Sequence, residues 1–332
     1  MRKYLAPNAS GMRLCRVALA SLVTMACAPA LADDTAYARA QQRVDIGGRK
    51  LNLYCIGSGS PTVVFESGLS DWSFSWALVQ PQIALRTRAC SYDRAGLGYS
   101  DPATRSSRSA HMVDDLHRLL RAARVAPPYV LVGHSMGGLN VRLYADRFRE
   151  DVAGMVLVDP SHEDGIRRID ALRNGQETRR YRTEVRRLAG CVATTARAMR
   201  TPDFRRRCIE PDDQRYSAAL NAARVAIAGT PAYQRAQLSE TANYLDGRSF
   251  ADVRDARRWY GALPLVVLTA GQTIVSAGPD WLQMHRELAA LSSRGVQRTV
   301  AEAGHYIQLD RPDEVIMAIR QVLEAYSASR GN

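Results

Sequence analysis

Lysine is nearly missing from this 332-residue chain: Lys3 and Lys50 stand against 43 arginines. No C-x-x-C pair occurs and the six histidines are scattered without ligand spacing, so no metal centre is expected. There is no internal repeat and no low-complexity tract, which argues against repeat and disordered architectures. Long apolar runs are also scarce. Val17–Ala30 is too short to span a bilayer comfortably, and the mature chain is expected to have no integral membrane span. The arginines are not interleaved with an aromatic platform and accompany no nucleic-acid motif, so no nucleic-acid partner is expected. At 46% hydrophobic and 23% charged, the chain suits one globular core with an insertion, or two small domains.

Arg2, Lys3, Arg13 and Arg16 precede that apolar run, and Ala30-Leu31-Ala32 gives a small-x-small pattern before Asp33-Asp34. This is the layout of a secretory signal peptide over residues 1–32, cleaved after Ala32. Its removal takes away four positive charges and no acids, so the formal net charge falls from +12 to +8. The exported chain, periplasmic or secreted, keeps Cys55, Cys90, Cys191 and Cys208. An even number of cysteines in an exported protein points to disulfides, and four cysteines allow three pairings.

The segment Arg43–Cys55 alternates and carries Gly47-Gly48, a hairpin signal. Short apolar segments follow at Thr62–Phe65, Thr87–Tyr92, Tyr129–Val132, Met155–Val158, Leu265–Leu268 and Arg298–Val300. Most are separated by helical patterns, such as Met112, Leu116, Leu119, Leu120 and Ala123. A hairpin followed by alternating strands and helices predicts an α/β fold, with a mostly parallel sheet covered on both faces. The stretch Tyr129–Tyr144 organises it: a Val-rich strand, then Gly133-His134-Ser135-Met136-Gly137, then apolar residues at helical spacing. This G-x-S-x-G pattern suits a Ser on a sharp strand-to-helix turn. Side chains two residues either side would clash there, and glycine relieves both.

In that context the stretch resembles the nucleophile elbow of the α/β-hydrolase superfamily, which implies an eight-stranded, mostly parallel sheet flanked by helices. The resemblance makes Ser135 the nucleophile and the Met136 backbone N–H one oxyanion donor. It puts the second donor in the loop Glu66–Ser70, assigned to the Leu69 N–H by position. Tyr92–Pro102 resembles the D-R-x-G-x-G-x-S-D turn of the same superfamily, where Asp93 and Arg94 are expected to brace the loop as an ion pair. His305, in Glu302–Asp310 before a final helix opened by Pro312, takes the position of the base; His134 is expected to pack or hydrogen-bond locally. His111, His117, His162 and His285 read as helix- or loop-surface residues. For the acid, Asp159 at the end of its strand is preferred over Asp280, which falls later than the usual superfamily spacing; Glu163 and Asp164 stand further behind. Core segments 33–164 and 263–332 then enclose residues 165–262, an inserted helical cap. Residues 165–215 of that cap hold 14 Arg against 7 acids, read mainly as a solvated face rather than an anion-attracting lid. The cysteines are expected to pair as Cys55–Cys90 in the sheet and Cys191–Cys208 in the cap. The resemblance implies a cofactor-free serine hydrolase that cleaves a small-molecule carboxylic ester, or a lactone, amide or thioester, through an acyl-enzyme. The alternative is a weakly active or non-catalytic small-molecule receptor on the same fold.

Overall fold

The structure, a computed structural model, describes residues 33–194 and 201–329; the expected signal peptide lies outside the described residues. Its strands are β1 Gln42–Asp45, β2 Lys50–Ile56, β3 Thr62–Glu66, β4 Ala89–Tyr92, β5 Tyr129–His134, β6 Val152–Val158, β7 Leu265–Ala270 and β8 Gly295–Val300. They form one sheet in the order β1-β2-β4-β3-β5-β6-β7-β8. β1 and β2 make the expected antiparallel hairpin and β2 runs antiparallel to β4, while all other neighbours are parallel. Three strand starts differ from the sequence reading. β6 begins at Val152 and not Met155, because Val152 already pairs with Tyr129 of β5. β4 begins at Ala89 because the Thr87 N–H still closes a helical turn on the Ile83 carbonyl. β8 begins at Gly295, and as an edge strand buries only Val300, so it leaves little apolar pattern to read.

Helices α1 (Gln80–Ala84), α2 (Ser109–Ala122) and α3 (Met136–Arg147) precede β6. Between β6 and β7 come α4 (Gly165–Leu172), α5 (Gln176–Val192), α6 (Pro202–Cys208), α7 (Ala218–Ala228), α8 (Pro231–Leu245) and α9 (Arg248–Ala256). The chain closes with α10 (Gly271–Ala277), α11 (Pro279–Ala289), α12 (Ile307–Asp310) and α13 (Pro312–Ala328). β5 and β6 are buried along their whole length, as parallel strands covered on both faces must be. Successive residues point to opposite faces. Leu131, Met155 and Leu157 join one cluster with Leu116 of α2 and Leu139 of α3; Val130, Val132, Val156 and Val158 join another with Val315 and Ile319 of α13. Each such side chain contributes roughly 1.5–3 kcal/mol by leaving water.

The helices after β6 start where their sequence says they should. The hydroxyls of Thr201, Ser217 and Thr230 accept the N–H groups of Phe204, Leu220 and Tyr233, each at 3.2 Å, and Pro202 and Pro231 stand in the first turn. α9 packs on α2 and α3, burying Phe250 and Val253 in the first cluster. Among the described residues no helix is long and apolar enough to cross a membrane. Cys55 faces Cys90 in the β2–β4 register, and the two are joined. Cys191 at the end of α5 is joined to Cys208 at the end of α6, at a sequence separation of 17.

A bridge closing a loop of that length contributes about 3 kcal/mol by restricting the unfolded chain. Replacing both Cys191 and Cys208 by Ser is expected to lower the unfolding free energy by about that amount, read from the urea midpoint. An unchanged midpoint would show that the bridge carries no such constraint.

Candidate active site

β5 ends at His134 and α3 starts at Met136, so Ser135 alone makes the turn. It does so at φ 52° and ψ −119°, a backbone region that costs a non-glycine residue roughly 1–3 kcal/mol. Hydrogen bonds hold it there. The Ser135 N–H donates to the Val158 carbonyl (3.1 Å), and the Ser135 carbonyl accepts from the Gly138 and Ser161 N–H groups (2.9 Å each). The surrounding space is full. A Cβ on Gly133 would lie 2.5 Å from the Gly137 carbonyl oxygen, and one on Gly137 would lie 2.4 Å from that of Glu66. Both glycines are therefore required by backbone contact, and the tightness presses the β3 end against the start of α3.

β5 and β6 pair with His134 opposite Val158, so the residues that follow, Ser135 and Asp159, leave the sheet side by side. Asp159 also has a positive φ, 40°, and its carboxylate is fully buried. One oxygen accepts from the Ala270 N–H and the Trp281 indole N–H, both at 3.0 Å. The other accepts from the Thr273 hydroxyl at 2.8 Å and from His305 Nδ1–H at 2.7 Å. Burial raises the Asp159 pKa, but the hydrogen bond and charge of His305 and the Trp281 bond outweigh it, leaving the group below its ordinary range. With Nδ1 donating to a carboxylate, His305 Nε2 is left as an acceptor, 3.0 Å from Ser135 Oγ. Asp280 is elsewhere: it stands in the first turn of α11 and pairs with Arg168 at 2.6 Å. Glu163 pairs with Arg142 (2.7 Å) and Arg257 (3.0 Å), and Asp164 with Arg167 (3.0 Å).

Ser135 and His305 open into a cavity of about 390 Å³ bounded by α4, α5, α8, α10 and α11. Ile166, Ile169, Tyr181, Tyr244 and Trp281 give it apolar walls, and Arg173, Glu177 and Arg180 also line it. A profile of the alpha/beta hydrolase fold family matches residues 61–312. The chain belongs to that family. The protein YqjL of Bacillus subtilis (strain 168), described as uncharacterized, is 26% identical over 268 residues, covering 80% of this chain and 85% of its own. Among solved structures, an epoxide hydrolase, CorEH, superposes with a TM-score of 0.61 at 17% identity, covering 85% of this chain and 98% of its own. A candidate lipase of Acinetobacter baumannii AYE gives 0.64 at 18% identity, covering 90% and 96%. At those identities the likeness is one of fold.

In this α/β-hydrolase chain the loop after β3 runs directly past Ser135: a Cβ on Gly68 would lie 3.4 Å from Ser135 Cβ and 2.7 Å from His134 Nδ1. His134 donates its Nε2–H to the His305 carbonyl at 2.9 Å, so it packs locally and steadies the loop that carries His305. Burial first, then the nearby His305, pushes its pKa down to about 3, and it stays neutral. Two other histidines are not on the surface as expected. His162 is buried, with Nδ1 accepting the Asp164 N–H at 3.1 Å. His285 is buried too, donating to the Pro160 carbonyl (2.9 Å) and accepting from Thr269 Oγ1 (2.7 Å), which braces the Asp159-Pro160 segment. The signal for His285 is its spacing with Trp281, Met284 and Leu288 on the buried face of α11. His111 and His117 are half-buried on α2.

The expected Asp93–Arg94 pair is also corrected. Asp93 is braced by amides, accepting from Asn52 (2.9 Å), the Ser73 N–H (3.0 Å) and the Tyr99 N–H (2.9 Å). Arg94 turns the other way into a buried cluster, pairing with Glu66 at 2.9 Å and Glu240 of α8 at 2.7 Å. Its remaining N–H groups hold the Ser67 and Gly68 carbonyls at 2.7 and 2.6 Å, and Glu240 accepts the Ser70 N–H at 2.8 Å. The reason is satisfiability: a guanidinium has five donors, and the Glu66–Asp71 loop together with Glu240 offers acceptors for them. Burial raises the Glu66 pKa and works against the Arg94 charge, while Glu240 and Glu66 more than restore the latter. Arg94→Ala leaves two carboxylates buried without their cation, and breaking such a cluster costs about 3–5 kcal/mol. The variant is expected to lose that much stability in urea unfolding. A loss below about 1 kcal/mol, the range of exposed pairs, would mean that the cluster is not buried in solution.

Proposed function

We propose that the protein is a cofactor-free serine hydrolase that cleaves a carboxylic ester of a small molecule through an acyl-enzyme intermediate. One observation carries this reading: the His305 ring spans Ser135 Oγ at 3.0 Å and the buried Asp159 carboxylate at 2.7 Å. In it, His305 Nε2 takes the Ser135 proton as Oγ attacks the ester carbonyl, and later returns it to the leaving alcohol. Asp159 fixes the tautomer and stabilises the imidazolium. The Leu69 and Met136 N–H groups are assigned to the oxyanion. The passage of the Glu66–Ser70 loop beside Ser135 and the place of Met136 at the first turn of α3 support that assignment. Deacylation by water follows the same route in reverse. Helices α4 to α9 act as the cap, and lactone, amide and thioester cleavage remain within the same chemistry. Export after cleavage near Ala32 is part of the proposal, and the two disulfides suit an oxidising compartment.

A fluorophosphonate probe is expected to label Ser135. Ser135→Ala should abolish labelling and reduce turnover of short-chain esters by on the order of 10³-fold or more. Folded Asp159→Asn should lose activity on a similar scale, whereas Asp280→Asn should keep most of it. Binding of esters without turnover by the wild-type protein would favour a receptor, and the opposite ranking of the two Asn variants would move the acid to Asp280.

A further inference from the structure

Arginines are frequent on and beside α4, α5 and α9, and several are already neutralised by carboxylates. Arg167 meets Asp164 at 3.0 Å, Arg168 meets Asp280 and Glu287 at 2.6 Å each, and Arg180 meets Glu177 at 2.8 Å. Arg254 meets Asp164 at 3.2 Å and Arg257 meets Glu163 at 3.0 Å. Arg173 does not follow this pattern. It caps the C-terminus of α4, lines the same cavity as Ser135 and His305, and among the described residues its guanidinium meets no carboxylate. The side chain reaches toward the α10–α11 junction, where a Cβ on Gly278 would lie 4.0 Å from its Nη2. Of the charged groups lining the cavity, Arg180 and Glu177 cancel, so Arg173 leaves a surplus of one positive charge.

We infer that Arg173 is the counter-ion for a carboxylate carried by the substrate, on the end remote from the scissile ester. The cavity lining holds the parts that such a substrate needs. Ser135 and His305 stand at one part of its lining, the walls Ile166, Ile169, Tyr181 and Trp281 are apolar, and Arg173 supplies an uncompensated cation. An apolar spacer fits such walls, and a terminal carboxylate gives the guanidinium a bidentate partner in partly desolvated surroundings. A neutral ester of the same shape would leave that charge without a partner and gain only the apolar contacts. The excess of Arg on the helical insertion is thus divided: most of it is spent on ion pairs or solvent, and one residue faces substrate.

The inference rests on the proposed ester site only for where the scissile bond lies, and its test uses binding as well as turnover. Two matched pairs cover the two sides of the ester: monophenyl glutarate against phenyl valerate, and para-acetoxybenzoate against phenyl acetate. Dissociation constants are measured calorimetrically on Ser135→Ala, and kcat/KM on the wild-type protein. The carboxylate member of at least one pair is expected to bind about 10- to 100-fold more tightly, the range for a charge-assisted hydrogen-bonded pair. Arg173→Gln should collapse that ratio toward one, Arg173→Lys should retain part of it, and Arg182→Gln, an exposed arginine outside the cavity lining, should retain all of it. Circular dichroism verifies folding of each variant. Equal binding within both pairs, or a preference that survives Arg173→Gln, overturns the inference. A carboxylate preference in binding with no turnover by the wild-type protein overturns the hydrolase reading and leaves the anion site standing.

Discussion

Ser135 can hold its left-handed backbone only because three pieces of main chain meet around it with no room for a side chain. The β3 end touches Gly137, the start of α3 touches Gly133, and β6 with the turn after it supplies the Val158 carbonyl and the Ser161 N–H that fasten Ser135 itself. Asp159, one strand over, pays a similar conformational cost at φ 40°. Two strained residues at roughly 1–3 kcal/mol each persist only where burial nearby exceeds that sum, and β5 and β6 are buried throughout, as are β3 and β7 on either side of them. The buried centre of the sheet therefore lies directly beneath Ser135 and Asp159. Their separation is set by the strand spacing and not by loop conformation, which is why a single ring, His305, can bridge both.

A second tier of structure is electrostatic. Glu66 and Arg94 of the sheet edge meet Glu240 of α8, Arg142 of α3 meets Glu163 and through it Arg257, and Arg168 of α4 meets Asp280 of α11. Each cluster joins the insertion to the α/β core. Buried ion pairs add little net stability over an apolar contact, because desolvation consumes most of the Coulomb gain, but they tolerate only one geometry. Here that property fixes where the helices sit over the site. The Arg94 cluster does more, since the same guanidinium gathers the Ser67 and Gly68 carbonyls and so orients the loop beside Ser135.

What could be read from the sequence was what local chemistry decides. The Val-rich runs of β5 and β6, the glycines around Ser135, the hairpin at Gly47-Gly48 and the proline opening α13 each carry their signal within a few residues. Ser135, Asp159 and His305 sit at ends of such elements, and the structure brings the three together. The misread polar residues share one cause: burial of a polar group depends on partners far along the chain. Arg94 finds Glu240 at a sequence separation of 146, and His285 finds Pro160 at 125. Nothing beside Arg94 in the sequence distinguishes a buried clamp from a loop brace, and Asp93, its neighbour, was the obvious partner. β8 was shortened for the opposite reason, since an edge strand with a single buried residue leaves no apolar run.

The two halves of the site therefore have different origins. Ser135 and Asp159 directly follow β5 and β6, so their placement comes from the sheet, and the fold is what this chain shares with structures at 17–18% identity. The walls come from α4, α5 and α8, inserted between β6 and β7, and from α10 and α11 after β7, with Arg168 of α4 paired to Asp280 of α11. Fold likeness at that level says nothing of substrate. Substrate identity has to be argued from the cavity lining. There the decisive feature is not the number of arginines but their partners, because a guanidinium held by a carboxylate is a structural strut and one without a carboxylate, facing the cavity, is available to a ligand.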